Sequence, residues 1–412
     1  LGEVEVVFNL TNITLKDYQV EGVNYLLKHQ HAVLGDEMGL GKTVQALAVA
    51  SANPSLKTLI VAPAYLIPNW KQEIDRFCPH INYELVSYSP ITLRKKRQLF
   101  VQTDIVIFDE VHYLKNPSAQ RTQVVHSYIE SHPPKYLLGL SGTPIKNRVP
   151  EWYSLIYLTC YGSAPNGLQI QDQWYSNYYK FCHNFSNAVK ITVKGRPVTK
   201  FLGAKNTHTL KNLLRSKYLR RKAKDVLELP DQNYIYRDLG GDDGELLDAW
   251  ENFGNGDKEL IQVKVENALS KVKYTIEYAK GLMEQGYKVL IFTDHVKVVQ
   301  EVKEKIKGAL GITGSTPSDQ RMKIVNKFNE TDAGCLVGTI GSMSTGFNMT
   351  TCNQVIFNDI SWVPADNLQA EKRVHRIGQD KKCFYHVILS GRMDKMIFDN
   401  VKEKIKVLEA VT

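Results

Sequence analysis

The chain has little that would staple it, anchor it or carry it across a membrane. Its six cysteines (Cys78, Cys160, Cys182, Cys335, Cys352, Cys383) are scattered along 412 residues with no C-x-x-C pair. That excludes a disulfide framework, leaves no zinc site expected, and points to reduced thiols in a reducing compartment. No apolar run approaches the eighteen or so residues of a membrane span, so no membrane partner is expected. No signal-peptide pattern opens the chain. Short-period repeats and low-complexity tracts are missing as well. The first residue is Leu1 rather than Met, which reads as a fragment or processed product that has lost flanking domains.

What is present suits a folded protein of two or three domains. Hydrophobic residues make up 43% and charged residues 23%, ordinary values with ample material for a core. Lysine and arginine number 52 against 43 acidic residues, a net charge of +9 and a pI near 9.0. This excess permits a nucleic-acid partner without requiring one.

One stretch dominates. Asp36-Glu37-Met38-Gly39-Leu40-Gly41-Lys42-Thr43 follows the apolar run His31 to Gly35 and precedes a helical pattern from Val44 to Val49. Strand, glycine-rich turn, lysine, hydroxyl and helix together make a phosphate-binding arrangement. Glycines admit phosphates to the backbone N–H groups, the lysine reaches the β/γ oxygens, and the hydroxyl holds Mg²⁺. Asp36 stands where the usual spacing has a glycine.

Before the loop, Leu15 to Lys28 carries an amphipathic helical pattern with Thr14 as its cap. After it come short apolar runs, Thr58–Ala62, Ile105–Phe108 and Tyr136–Leu140. Such runs between helical segments suit buried parallel strands in a doubly wound α/β sheet. From about Trp152 to Tyr218 the pattern breaks, and a helical connector is expected with a hairpin around Lys194-Gly195-Arg196-Pro197. The basic cluster Arg220 to Lys224 follows, then an acidic glycine-rich loop, Gly240 to Glu245, and a long helix over about 260–284. Strand-like runs resume at Lys288–Thr293, Cys335–Thr339, Gln354–Phe357 and Phe384–Leu389, which implies a second α/β domain. The expected division is 1–228, with the connector over about 150–228, and 229–412.

Two further clusters carry chemistry. Asp109-Glu110-Val111-His112 ends an apolar strand. An acidic pair there, with Lys42 elsewhere, suits metal-assisted phosphoryl transfer: Asp109 holds Mg²⁺ through water, and Glu110 orients and deprotonates the attacking water. Ser141-Gly142-Thr143-Pro144 also ends a strand, and its hydroxyls are placed to sense a γ-phosphate. In the second half, Gln369 to Gln379 holds Arg373 and Arg376 three apart. On a helix they share one face and grip developing phosphate charge.

The set of motifs resembles the superfamily 2 helicase motor, and within it the SWI/SNF-type DNA translocases. The matching stretches are LKDYQVEGV, DEMGLGKT, TLIVAPAYLIPNW, DEVH, LSGTPIKNR, KVLIFTDH, STGFNMT and QAEKRVHRIGQ, in family order from Leu15 to about Asp394. Asp36 is the family's usual residue. FLGAKN at Phe201 and LRRKAKDVLELP at Leu219 resemble the annealing-helicase (HARP-like) branch, as does the compact spacing between the halves. Lys372 in place of an acidic residue and Met343-Ser344-Thr345 in place of a glycine-rich loop depart from the pattern.

The resemblance implies an α/β fold of two tandem RecA-like doubly wound parallel-sheet lobes with a helical connector. It implies a DNA-dependent ATPase that translocates on duplex or branched DNA without reading sequence, with ATP and Mg²⁺ as cofactors, acting as a monomer. Gln19 would read adenine. Asp36, Gly39, Gly41, Lys42, Thr43, Gly346 and Gln369 would bind nucleotide. Thr43 and Asp109 would hold Mg²⁺, Lys42, Asp109 and Glu110 would catalyse, and Arg373 and Arg376 would arrive from the second lobe. DNA contacts would come from Pro63, Tyr65, Ser87, Tyr88, Lys146, Asn147, Arg148, Asp294, His295, Ser344 and Thr345. A strand-separating RNA or DNA helicase and a nucleotide-gated DNA-binding switch are the rival functions. Without a targeting signal or accessory domains, a bacterial or phage cytoplasm is expected, or a nucleus if the chain is eukaryotic.

Overall fold

The structure, a computed structural model, describes residues 8–160, 177–193, 196–241, 257–343 and 347–411. By contact the chain divides into two units, Leu1–Ala188 with Phe201–Leu227 and Val407–Thr412, and Val189–Lys200 with Glu228–Lys406.

In the first unit the apolar runs become parallel strands: β1 (His31–Leu34), β2 (Thr58–Ala62), β3 (Tyr83–Ser87), β4 (Ile105–Asp109) and β5 (Tyr136–Leu140). β6 (Asn187–Val193) and β7 (Arg196–Leu202) form their own two-stranded hairpin sheet, most of which, Val189–Lys200, belongs to the second unit, and β8 (Tyr218–Leu219) joins the main sheet of the first. The main order is β3-β2-β4-β5-β1-β8. Side-chain alternation explains why the central strands are apolar throughout. Leu59, Val61, Val106, Phe108 and Leu137 enter one core, while Ile60, Ala62, Ile105, Ile107 and Leu138 enter another. Each strand thus serves two cores, which is the doubly wound expectation.

Helix α1 (Asp17–His29) has Lys16 rather than Thr14 at its N-cap. Its start is tied instead by Gln19, whose Oε1 accepts the Lys16 N–H at 3.0 Å. Helices α2 (Lys42–Ser51) and α3 (Ile67–Phe77) follow. The connector is helical at Trp152–Cys160, Tyr178–Phe185 and Thr207–Leu214 and contains the hairpin. The hairpin's turn, Lys194-Gly195, and the acidic loop from Asp242 onward lie outside the described residues.

The second unit repeats the design with β9 (Gln232–Asp238), β10 (Lys288–Thr293), β11 (Leu310–Ile312), β12 (Gly334–Thr339), β13 (Gln354–Phe357) and β14 (Cys383–Leu389), ordered β11-β12-β10-β13-β14-β9 and parallel throughout. Leu290, Phe292, Val355 and Tyr385 face one core, and Val289, Ile291, Ile356 and Ile388 the other. Helix α4 (Asp257–Glu284) buries Ala268, Val272, Ile276 and Ala279 at helical spacing. Its buried Lys271 is neutralised by Asp394 at 2.7 Å. All six cysteines are free and buried. No helix among the described residues is long and apolar enough to cross a membrane.

His386 on β14 is buried neutral. Tyr278 Oη lies 2.9 Å from Nδ1 and Nε2 lies 2.9 Å from Gln354 Oε1, so the tyrosine donates to Nδ1 and Nε2–H donates to the amide. Burial, with Arg237 nearby, lowers its pKa from 6.5 to about 4. As pH falls below the unfolded value of 6.5, the unfolded chain takes up the proton first. Stability should therefore decline from about pH 6.5 to about pH 4, by roughly 3 kcal/mol at most for this group, and no further below. His386→Gln should flatten that limb in denaturant titrations. A wild-type limb that His386→Gln leaves unchanged would assign the loss to other groups.

Candidate active site

Parallel strands end on one side of a sheet, and register decides which ends are neighbours. Leu34 of β1 lies abreast of Leu140 of β5, and Leu140 abreast of Asp109 of β4. The residues that follow, the phosphate loop, Ser141 and Glu110, are therefore delivered together by the backbone ladder.

Within the loop, Gly39 and Gly41 have φ of 87° and 74°, the left-handed region that glycine tolerates. A Cβ at Gly41 would also stand 2.4 Å from Gln19 Nε2. The Leu40 carbonyl accepts hydrogen bonds from Tyr18 Oη, Gln19 Nε2 and Gln45 Nε2, each at 3.2 Å. Lys42 Nζ donates to the Asp36 carbonyl at 2.8 Å and the Glu37 carbonyl at 3.4 Å. Lys42 and Thr43 open α2, whose first N–H groups lack intrahelical acceptors and suit an anion. Gln19 spends one lone pair on Lys16 and one N–H on Leu40. One of each remains, as a base edge would require.

Asp36 corrects an expectation. Its side chain is wholly buried and engaged by Arg221, with Nε at 3.0 Å from Oδ1 and Nη2 at 2.5 Å from Oδ2. A carboxylate so placed is paired within the protein and does not meet phosphate. Arg221 was legible in sequence only as part of a basic cluster.

The acidic pair is tightly dressed. Trp70 Nε1 donates to Asp109 Oδ2 at 2.8 Å, and the Glu110 N–H to Asp109 Oδ1 at 2.9 Å. Burial and the neighbouring Glu110 raise Asp109 to about 7. Burial opposes charge on Glu110 and also lowers the pKa of His112, but the hydrogen bond from His112, with Lys42 and Lys146, outweighs it and holds this carboxyl down to about 2. His112 Nδ1 lies 3.1 Å from Glu110 Oε2 and 3.0 Å from Ser141 Oγ, and the Ser141 hydroxyl donates to the same Oε2 at 3.2 Å. Glu110 itself has φ 50° and ψ 53°, a strained conformation for a side-chain-bearing residue of the kind that collects at functional sites. Trp70 and His112 are the partners that sequence reasoning passed over. Both stood in quoted motifs, but nothing in the spacing said whom they touch.

In the second unit, Arg373 and Arg376 are not on a helix. The helix α5 (Pro364–Glu371) ends before them, so the shared helical face is corrected to a shared turn. Their Nη1 atoms each donate to the Phe347 carbonyl at 3.4 Å. His375, through Nε2 at 2.8 Å from the Pro230 carbonyl, and Gln379, donating to the Cys352 carbonyl at 2.9 Å, brace that turn. Gln369 is buried on α5. Ser344, Thr345 and Gly346 lie outside the described residues.

The expected DNA contacts are mixed. Tyr88 is corrected: it is 3% exposed, stacks on Tyr113 and donates its hydroxyl to the Asp109 carbonyl at 2.8 Å, so it is a wall of the site. Pro63 is buried, while Tyr65 and Ser87 are half-buried. The backbone N–H groups of Lys146 and Asn147 both go to Glu151 Oε2, at 2.6 and 3.2 Å, which leaves the exposed Arg148 at the tip. At the turn after β10, the Asp294 N–H goes to Asp359 at 2.7 Å and the His295 N–H to Thr293 at 3.1 Å. A phosphate there would meet the His295 imidazole rather than open amides.

Comparison with known proteins bears on the whole. The SNF2-related domain profile matches residues 18–89 and 83–247, and the helicase conserved C-terminal domain profile matches 270–378. The chain is 27% identical over 435 residues to a SWI/SNF-related matrix-associated actin-dependent regulator of chromatin subfamily A-like protein 1 of Xenopus tropicalis, covering 96% of this chain and 44% of that protein. It is 26% identical to the DNA annealing helicase and endonuclease ZRANB3 of Bos taurus, covering 95% and 40%. The chain thus spans less than half the length of these relatives. A solved structure, the Sulfolobus solfataricus SWI2/SNF2 ATPase core in complex with dsDNA, aligns over 99% of this chain and 96% of that one at 22% identity and a TM-score of 0.45.

Trp70 orients the carboxylate expected to hold Mg²⁺. Partners of this kind change metal affinity about 10- to 100-fold when removed. Trp70→Phe should raise the Mg²⁺ concentration for half-maximal nucleotide binding about tenfold while cooperative unfolding is retained. An unchanged Mg²⁺ dependence would make the indole a packing group only.

Proposed function

The chain belongs to the SNF2-related family, whose profile matches more than half of it, and we propose on that premise that it is a DNA-stimulated ATPase that translocates on duplex or branched DNA. The observation that carries this is the meeting of Lys42, Asp109, Glu110 and Ser141 at the ends of β1, β4 and β5.

Lys42 and the first N–H groups of α2 receive the β/γ-phosphates, and Gln19 the adenine edge. Thr43 and Asp109, the latter through water, hold Mg²⁺, which when bound neutralises charge on the transferred phosphoryl group. Glu110, kept ionised against its burial by His112, Lys42 and Lys146, orients the attacking water and takes its proton. Ser141 reports the state of that carboxylate to the loop it begins. Arg373 and Arg376 act on the same phosphates during turnover. Gln369, and Gly346 beyond the described residues, are proposed as further nucleotide contacts.

DNA as the partner is supported by charge. Between Asp172 and Asp225 the chain has thirteen lysines and arginines and no acidic residue, so the basic excess is concentrated in one stretch. The exposed Arg148 is suited to phosphates rather than bases, whereas burial lowers the pKa of His295, which is left to contact DNA as a neutral hydrogen-bonding group. The 1–228 and 229–412 portions act as the two lobes of one motor, in a single copy of the chain.

Steady-state ATP hydrolysis with and without duplex, forked and single-stranded DNA, and with RNA, tests the proposal. Strong stimulation by duplex or forked DNA is expected, and turnover that ignores DNA would overturn it. Strand displacement from a triplex without unwinding of a duplex would separate a translocase from a helicase. Lys42→Ala should remove hydrolysis, by a hundredfold or more on the scale of lost transition-state contacts, and leave DNA binding within about twofold. Full activity in that variant would dissolve the site.

Arg376→Ala should bind ATP nearly normally yet lose most of its turnover, because a contact made in the transition state lowers kcat more than it raises KM. An equal loss of ATP affinity and rate would make Arg376 a ground-state ligand.

A further inference from the structure

Arg221 lies 185 residues after the loop aspartate it engages, and its contacts join α1, the loop and α2. The ladder that brings it there is continuous. β8 pairs with β1 through Val33 and Leu34, and the pairing runs on past β1. The Gly35 N–H donates to the Leu219 carbonyl at 2.6 Å and the Glu37 N–H to the Arg221 carbonyl at 3.0 Å. The first half of the phosphate loop is therefore held by backbone hydrogen bonds against residues 219–221. Glu37 returns the contact, its Oε2 accepting the Ala223 N–H at 2.5 Å.

The guanidinium then fixes what the ladder has aligned. Besides the two bonds to Asp36, Nη2 donates to Gln45 Oε1 at 2.9 Å and Nη1 donates to the Tyr18 carbonyl. The Arg221 backbone N–H adds a third bond to Asp36 Oδ1, at 3.1 Å. Gln45 in turn donates to Asp36 Oδ2 and the Leu40 carbonyl, both at 3.2 Å. The Asp36 carbonyl is the one on which Lys42 Nζ rests. Start of α1, loop, phosphate lysine and α2 meet in one buried network whose only cation at its centre, among the described residues, is Arg221.

We infer that Arg221 is a positioning residue for nucleotide binding, acting through Asp36. The inference rests on the loop being the ATP site. Physically, Asp36 is a charge that a glycine loop would not carry, and a buried carboxylate keeps its place only while paired. Arg221 supplies that pairing bidentately, so the loop's shape is set by the segment that follows β8. The stretch bearing Arg221 runs on to Leu227, the last residue before the chain enters the second unit. Nucleotide affinity should thus depend on how firmly this stretch is docked.

The test is equilibrium binding of a fluorescent ATP analogue, with KM and kcat measured beside it. Arg221→Ala should weaken binding roughly tenfold or more, with KM affected more than kcat, since a broken buried pair leaves one charge stranded. Asp36→Gly in the Arg221→Ala background removes that stranded charge and should recover most of the loss. Lys224→Ala, an exposed neighbour, should bind as wild type. Arg221→Lys, which keeps the charge without the fork, serves by the same criteria should Arg221→Ala not unfold cooperatively. Binding within twofold of wild type, or a loss that Asp36→Gly does not recover, overturns the inference. Failure of the wild-type chain to bind the analogue would instead defeat the ATP-site assignment beneath it.

Discussion

Three carboxylates and one lysine crowd the end of a single parallel sheet, and the rest of the first unit answers to that fact. A charge held out of water costs several kcal/mol unless it is paired. Asp36 is satisfied by the Arg221 fork. Glu110 is satisfied by His112 and Ser141. Asp109 accepts N–H donors from Trp70 and from Glu110 itself, and burial with the neighbouring Glu110 pushes it up, to about 7. Lys42 is shared among them and rests on loop carbonyls. Asp109 is the carboxylate that the family resemblance assigns to Mg²⁺, and a dication beside it would favour the ionised form that burial and Glu110 oppose.

Convergence of these groups is a property of backbone register more than of side-chain attraction. A one-residue slip of β4 against β5 would turn each side chain to the opposite core. Phe108 and Val106 would then leave the core that holds Leu137, and Asp109 would no longer stand beside Leu140. The apolar packing of both sheet faces thus pays for the accuracy of the polar cluster at its edge.

Much of this was readable in the sequence, and the misses have physical causes. The runs Thr58–Ala62, Tyr136–Leu140, Lys288–Thr293 and Gln354–Phe357 stand out because a central strand buried on both faces leaves no polar interruption, and each is a strand as read. β3, β8, β9 and β11 escaped because they are short or lie at sheet edges, where half the side chains meet solvent and the apolar signal thins. The phosphate loop was legible because glycines and a lysine must be local to one turn. The partner of Asp36 was not, since only the pairing of β8 with β1 brings Arg221 across 185 residues. Tyr88 failed for a similar reason: its position after an edge strand suggests exposure, but its ring lies against Tyr113 and Phe108.

The arginine turn shows how a local misreading can change the mechanism. On a helix, Arg373 and Arg376 would move as one rigid face. In the structure, α5 stops at Glu371, and Gly378 with φ 95° turns the chain away. Both guanidiniums donate to one carbonyl, that of Phe347, 26 and 29 residues away, and Arg373 Nε donates as well to the Gln369 carbonyl at 3.2 Å. Phe347 directly follows Ser344, Thr345 and Gly346, the stretch for which the resemblance implies DNA and nucleotide contact. A shift of Phe347, itself part of a core cluster of the second unit, would therefore reach both arginines through a shared acceptor. The two hydrogen bonds of 3.4 Å to that carbonyl are long, and bonds from the same guanidiniums to a charged oxygen would be shorter and stronger.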